Sequence, residues 1–378
     1  MKKPQIKPHF RLEIIEPKHV YLLSEYATHA LTGVLYCQIL PLLNGQHTRE
    51  DLIHKLNEQV PPEHLDYVLD RLQQKGYLTD AAHELTSEVA AFWSGLGVEP
   101  LMVAEHLPQV QVSVIAVGVV DPQPLISALA AIGISAQVGE MGGVDSLRVV
   151  LTDDYLQPEL SRINQTALQT QQSWLQVKPI GSVVWLGPIF HPGTTGCWEC
   201  LTQRLWGNRE VETSVLRQKG ETGKQGERGC LPVAFAGLPS TVQAVIGLTT
   251  TEIAKWLVKQ SVPGSPLQTL EGKITTLDQA TLTLKTHLLP HRPQCPACGD
   301  PGFISRQLNQ PIALTSRKKL FTQDGGHRAF TPDQILKRYE HLISPITGVV
   351  SSLTRSPIPI TRLYIPIVLS MPLVRLLA

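Results

Sequence analysis

The region to about residue 85 changes from a two-residue to a 3.6-residue hydrophobic period and back. Arg11-Leu12-Glu13-Ile14-Ile15-Glu16 and His19-Val20-Tyr21-Leu22-Leu23 read as two short strands around Pro17-Lys18. The pattern then becomes helical. Gly33 to Leu43 is apolar and stops at Asn44-Gly45. Thr48 predicts the cap of a second helix, with Asp51 at the reciprocal position and Leu52, Ile53 and Leu56 as its buried stripe. A third helix follows Pro61-Pro62 and carries Leu65, Val68, Leu69 and Leu72 at i, i+3, i+4, i+7 spacing. It ends at Lys75-Gly76, and Tyr77-Leu78 returns as a strand. Strands, three helices and a closing strand predict a winged helix-turn-helix over residues 1–85.

Such a domain can read DNA or a peptide. A DNA reader needs cations on the third helix, but its exposed face shows Glu63, Asp66, Asp70, Arg71 and Gln74, which phosphate would repel. Peptide capture needs only an unpaired strand edge and a groove beside it. The expected peptide site is therefore His19, Val20, Tyr21, Leu22 and Leu23 as the edge strand, with Asp66 and Asp70 lining the groove. The alternative is a wing that only packs on its neighbour.

The middle region, residues 100–305, has the signature of an α/β fold. Val112–Gly118, Leu147–Asp154 and Gly181–Pro188 are apolar runs of the kind found in buried parallel strands, and a helical stretch at 122–132 follows the first. Alternation of strands and helices predicts a doubly wound sheet. A long apolar helix from about Ser240 to Lys259 is expected to form core or a dimer face, because Glu252 and Lys255 interrupt it as a membrane span. Leu267–Leu270, Gly272–Leu277 and Thr281–His287 read as an antiparallel meander. The first strand–helix turn, Gly118-Val119-Val120-Asp121-Pro122, is a poor phosphate cradle. It has one glycine, a proline without an N–H, and a carboxylate where phosphate would lie. Asp153 and Asp154 suit Mg²⁺ in an intact site, but here a helix cap or solvated strand end is the simpler expectation.

Two Cys-x-x-Cys pairs add chemistry to this frame: Cys197-Trp198-Glu199-Cys200 and Cys295-Pro296-Ala297-Cys298. Two knuckles supplying two thiolates each suit one tetrahedral structural Zn²⁺, closed to water and hence architectural. Disulfides or unpaired thiols are the alternatives, and an intracellular location disfavours the former. Cys37 lies in an apolar helical pattern and reads as core. Cys230, in Arg228-Gly229-Cys230-Leu231-Pro232, is a loop cysteine or a catalytic thiol.

Composition changes the picture little. The chain has 378 residues, 42% hydrophobic and 17% charged, which is globular and large enough for two or three domains. A net charge of +1 gives no bulk signature for nucleic acid. The opening Met1-Lys2-Lys3-Pro4 lacks the apolar run of a signal peptide, so a cytoplasmic location is expected, with no membrane partner.

Gly187-Pro188 leading through His191-Pro192-Gly193 to Cys197-x-x-Cys200, then a meander and Cys295-x-x-Cys298, resembles the ThiF/ubiquitin-activating-enzyme-like superfamily. With a winged-helix clamp before it, the chain resembles the N-terminal half of cyanobactin heterocyclases, the patellamide-type YcaO cyclodehydratases, over about residues 10–355. The resemblance implies a clamp that binds the leader of a ribosomal precursor peptide, and a ThiF-like domain that is a scaffold without its own ATP site. A YcaO domain would use ATP and Mg²⁺ to convert Cys, Ser or Thr into azolines. Residues 312–378 would begin that domain: Lys318–Arg328, with Gly325-Gly326 and His327, and Ile343–Val350 look like its opening. The family's ATP- and Mg-binding carboxylates lie further downstream and cannot be carried over. The chain alone is therefore expected to be inactive, and possible partners are the precursor leader, a second copy in a homodimer and a separate YcaO protein. Ser356 to Ala378, with Pro359, Pro366 and Pro372 and no acidic residue, suggests a truncated or frame-shifted product or a tail that packs on a partner. Two rival functions follow from other classes: a ThiF-like enzyme adenylating a carboxylate, and a winged-helix transcription regulator with a zinc-stabilised sensor domain.

Overall fold

The computed structural model describes residues 1–56, 59–81, 84–139, 147–209, 211–212, 214–215, 236–262, 264–316, 318, 330–355 and 367–370. Cys230, Gly325, Gly326, His327 and most of the tail lie outside them. Contacts divide the chain into two units, one of residues 1–110 and 253–269 and the other of 111–252 and 270–378.

The first unit opens with β1 (Pro4–Ile6), then a meander of β2 (Arg11–Ile15), β3 (His19–Leu23) and β4 (Thr28–Thr32). Helices α1 (Val34–Ile39), α2 (Arg49–Leu56) and α3 (Pro62–Gln74) follow, and β5 (Leu78–Asp80) pairs antiparallel with β1. The expected reciprocal cap of α2 is present: Thr48 N–H donates to Asp51 Oδ2 at 2.9 Å, and Asp51 N–H donates to Thr48 Oγ1 at 3.2 Å. Leu65, Val68 and Leu72 of α3 meet Leu52 and Leu56 of α2 and Val20, Leu22 and Leu31 of the meander in one core. α4 (Ser87–Gly95) and α5 (Pro100–His106) follow, and residues 253–269 also belong to this unit.

The meander corrects one expectation. Its order is β2-β3-β4, so His19–Leu23 is the central strand and not an edge. Strand β4, Thr28-His29-Ala30-Leu31-Thr32, was not anticipated, although its alternation is legible: Leu31 is buried while Thr28, Ala30 and Thr32 are exposed.

The second unit is built on a seven-stranded mixed sheet. Its strands are β6 (Gln111–Val117), β7 (Ser135–Val138), β8 (Leu147–Thr152), β9 (Trp174–Lys178), β10 (Val183–Phe190), β11 (Lys273–Asp278) and β12 (Thr283–Leu288), in the order β12-β11-β10-β9-β8-β6-β7. The run β7-β6-β8-β9 is parallel and the rest antiparallel, which joins the expected α/β half to the expected meander. Leu267–Leu270 is not a strand, although Leu267 and Leu270 are buried. Crossover helices are α6 (Gln123–Ala131) and α7 (Glu159–Thr170), followed by α8 (Trp198–Asn208). Val150, Trp174 and Phe190 of the sheet pack with Leu160, Ile163 and Ala167 of α7 and Leu201 and Leu205 of α8. The long helix α9 spans Pro239–Ser261; among the described residues, no helix is long and apolar enough to cross a membrane. Within the tail, Ile367–Ser370 pairs antiparallel with Ser352–Arg355.

Candidate functional site

The four expected cysteines meet. Cys197 caps the N-terminus of α8 and Cys200 sits in its first turn, where the helix dipole favours a thiolate. The second knuckle is closed by Cys295 N–H donating to Arg292 O at 3.0 Å and Gly299 N–H donating to Cys295 O at 2.9 Å. Gly299 is required there, because a Cβ would overlap the Pro293 carbonyl and the Cys295 nitrogen. Cys197 Sγ lies 3.7 Å from Cys295 Sγ and Cys200 Sγ 3.5 Å from Cys298 Sγ, and all four sulfurs fall within 4.8 Å of one another. Sulfurs at the vertices of a tetrahedron with metal–sulfur bonds of about 2.3 Å stand roughly 3.8 Å apart. The cluster therefore has the size of a tetrathiolate metal centre, with three of its cysteines buried.

Mutual hydrogen bonding spreads the thiol acidities. Hydrogen bonds from Cys197 and then Cys200 hold Cys295 well below the ordinary thiol value. Cys197 is raised, first by its hydrogen bond to Cys200, then by Cys295 and burial. At Cys200 the bond from Cys197 lowers the value, but Cys295 and burial outweigh it and push the thiol up to about 12. A cation at the centre favours the thiolate form of all four.

The β6–α6 turn lies at the C-terminal ends of β6 and β8, where the strand order reverses and doubly wound folds place their ligands. Carboxylates occupy it. Val119 N–H donates to Asp153 Oδ2 at 3.0 Å, and Gln123 N–H donates to Asp121 Oδ1 at 3.0 Å. Gly118 has φ +82°, and a Cβ on it would overlap the Asp153 carboxylate. Asp154 accepts from Leu156 N–H at 2.8 Å and from the Arg209 guanidinium at 3.1 Å. The expectation of a helix cap or solvated strand end is corrected here: both carboxylates are buried, Asp153 accepting from the neighbouring turn and Asp154 paired with Arg209. Lys178 and Arg209, which sequence reasoning missed, lie over the Trp185 ring beside them. Burial lowers the Lys178 amine, with Asp154 opposing.

In the clamp, the expected peptide-site residues separate. Val20 and Leu22 are fully buried core residues, and His19, Tyr21 and Leu23 carry the opposite face of the central strand. Asp66 is not a free acid: Arg49 donates to its two oxygens at 2.7 and 2.6 Å, and those hydrogen bonds hold it below the ordinary carboxylate range. Asp70 is exposed. Gly33 N–H donates to Lys18 O at 2.8 Å and Ser24 N–H to Ala27 O at 2.9 Å. With antiparallel alternation, these bonds assign Leu31 and His29 to the β3 ladder and leave the N–H and C=O groups of Thr28, Ala30 and Thr32 pointing outward. The β3–β4 turn and α4 also border a cavity of about 720 Å³ with Phe10, Tyr26 and Phe92 on its wall.

Comparison with known proteins agrees with this anatomy. Residues 5–80 match a family model described as a winged helix-turn-helix domain. No curated protein matches the chain. A solved heterocyclase in complex with substrate and cofactor is 54% identical over 95% of this chain and 47% of its own, with a TM-score of 0.87. The heterocyclase TruD is 52% identical over 93% of this chain and 49% of its own, with a TM-score of 0.83. Both are matches to the cyanobactin-type heterocyclase fold expected from the cysteine pairs and domain order, and the chain spans about half the length of each. E. coli MccB solved with ATP matches 79% of this chain and all of its own at 11% identity and a TM-score of 0.52, a likeness in ThiF-like fold alone.

Proposed function

We propose that this chain is the precursor-binding and scaffolding portion of a heterocyclase. In the reaction, a Cys, Ser or Thr side chain of a ribosomally made peptide attacks the preceding amide carbonyl, and water leaves to give an azoline. The identity to solved heterocyclases over nearly the whole chain carries this reading. ATP and Mg²⁺ would act in a YcaO region, of which residues 312–378 are the start, and not at the Gly118 turn, where Asp153 and Asp121 already accept the backbone N–H groups a phosphate would use.

The leader would add to the meander as a fourth strand along Thr28–Thr32, with an apolar anchor in the Phe10–Tyr26–Phe92 cavity and Asp70 attracting a Lys or Arg. This assignment moves the edge from His19–Leu23 to β4 and keeps Tyr21 and Leu23 as support beneath it. The four cysteines would hold a structural Zn²⁺, which supplies cross-linking of α8 to the second knuckle and no chemistry on the substrate. The proposal places the protein in the cytoplasm, where such precursors are made, as a homodimer able to work with a separate YcaO protein.

Mass spectrometry tests the reading. Leader-bearing precursor incubated with Mg-ATP and the remaining half of a heterocyclase should lose one water per ring only when this chain is also present. Equal dehydration without this chain overturns it.

A further inference from the structure

Two arginines beside the cysteine cluster each bury a guanidinium nitrogen that has no hydrogen-bond acceptor. Arg204 stands one helical turn after Cys200 on α8, on the same face. Arg292 precedes Cys295 by three residues, and its backbone N–H donates to the Cys200 sulfur while its carbonyl takes the Cys295 N–H. Arg204 Nε and Arg292 Nη1 are both buried without a hydrogen-bond acceptor. Burial, and then the Arg292 charge, lower the Arg204 guanidinium from its ordinary value, with Cys200 opposing. Among the described residues neither is ion-paired with a carboxylate; the acid at the knuckle's end, Asp300, is taken by Arg306.

Two permanently charged groups held together half-buried repel each other, and an anion beside them offsets that cost. A divalent ion with four thiolates is such an anion, with a net charge of −2. We propose that Arg204 and Arg292 are the counter-charge of the metal tetrathiolate: positioning residues that offset its negative charge and slow loss of the ion. The inference rests on the metal reading above. It predicts that the cluster favours a divalent ion, because a trivalent ion with four thiolates would leave one of the two cations unbalanced.

The test uses the full chain loaded with Zn²⁺ or Co²⁺. Zinc transfer to an excess of chromogenic chelator should be at least tenfold faster in Arg204→Met, while Arg204→Lys, which keeps the charge, should stay within about threefold of the parent. The sulfur-to-cobalt charge-transfer band should move to longer wavelength in Arg204→Met, because removing the cation raises the thiolate donor levels, with the tetrahedral d–d bands retained. Arg292→Gln, in the knuckle loop, should do the same and serves if Arg204→Met does not fold. Equal release from the Met and Lys variants with an unmoved band overturns the arginine proposal. A parent protein without a tetrathiolate cobalt spectrum overturns the metal reading itself.

Discussion

Ala30→Pro isolates the proposed leader-binding edge from the fold that presents it. Ala30 is exposed, and its N–H points away from β3, so the ladder bonds through His29 and Leu31 survive the substitution. Proline is tolerated on an edge strand for this reason. The same change at Tyr21 would remove a donor in the middle of the sheet and could not distinguish lost binding from lost structure. On the free edge, proline at position 30 removes the central of three outward N–H groups. One net hydrogen bond is worth about 1 kcal/mol, and a leader carbonyl left without a donor adds about 1–3 kcal/mol more. The sum, about 2–4 kcal/mol, corresponds to a roughly 30- to 700-fold rise in Kd, since about 1.4 kcal/mol is tenfold. Titration calorimetry with the cognate leader, beside circular dichroism of the free protein, measures both halves. Unchanged affinity in a folded Ala30→Pro protein would refute strand addition along Thr28–Thr32.

Cys295→Ser should lower metal content, read by plasma mass spectrometry, and melt the second unit at lower temperature, because structural zinc contributes on the order of 10 kcal/mol; full metal occupancy and an unshifted melt would contradict the site. Leu65→Ala, at a fully buried position of α3, should cost about 2–5 kcal/mol in denaturant unfolding, and a change under about 1 kcal/mol would show that α3 does not carry the clamp's core. His287 is buried, with Nδ1 2.8 Å from Ser344 Oγ and Nε2 3.2 Å from Thr276 Oγ1, and burial, aided by Lys285, holds it below the ordinary histidine value. The fold favours the neutral ring, so stability is full above the unfolded value of about 6.5 and falls as the pH drops from there toward the folded value; His287→Gln should lose less stability between pH 7 and pH 5, and an identical slope would rule this group out.

Much of the fold was legible because its elements obey local rules. The third helix showed its buried face through Leu65, Val68 and Leu72, and Thr48-x-x-Asp51 announced the second. The cysteine site was legible for a different reason: paired knuckles are a spacing rule that survives distance along the chain. What could not be read was which neighbour each strand takes. His19–Leu23 buries Val20 and Leu22 on one face, a pattern that edge and central strands share, and only pairing with Thr28–Thr32 makes it central. Thr28-His29-Ala30-Leu31-Thr32 alternates but holds a single large apolar residue, so its signal is weak. The Arg49–Asp66 pair joins two helices, and no local pattern foretold that this acid was already partnered. Asp121 and the lone Gly118 were readable as a spoiled phosphate turn, whereas Asp153, supplied from the next strand, closes it through a tertiary contact.

The central claim, that this chain captures a precursor through its leader, is tested most directly by calorimetry of the full chain with three peptides: whole precursor, leader alone and core alone. The account predicts that precursor and leader bind with the same affinity and one-to-one stoichiometry, with weak dependence on salt, and that the core alone gives no heat. A core peptide that binds as tightly as the whole precursor, or a leader that does not bind, would contradict it.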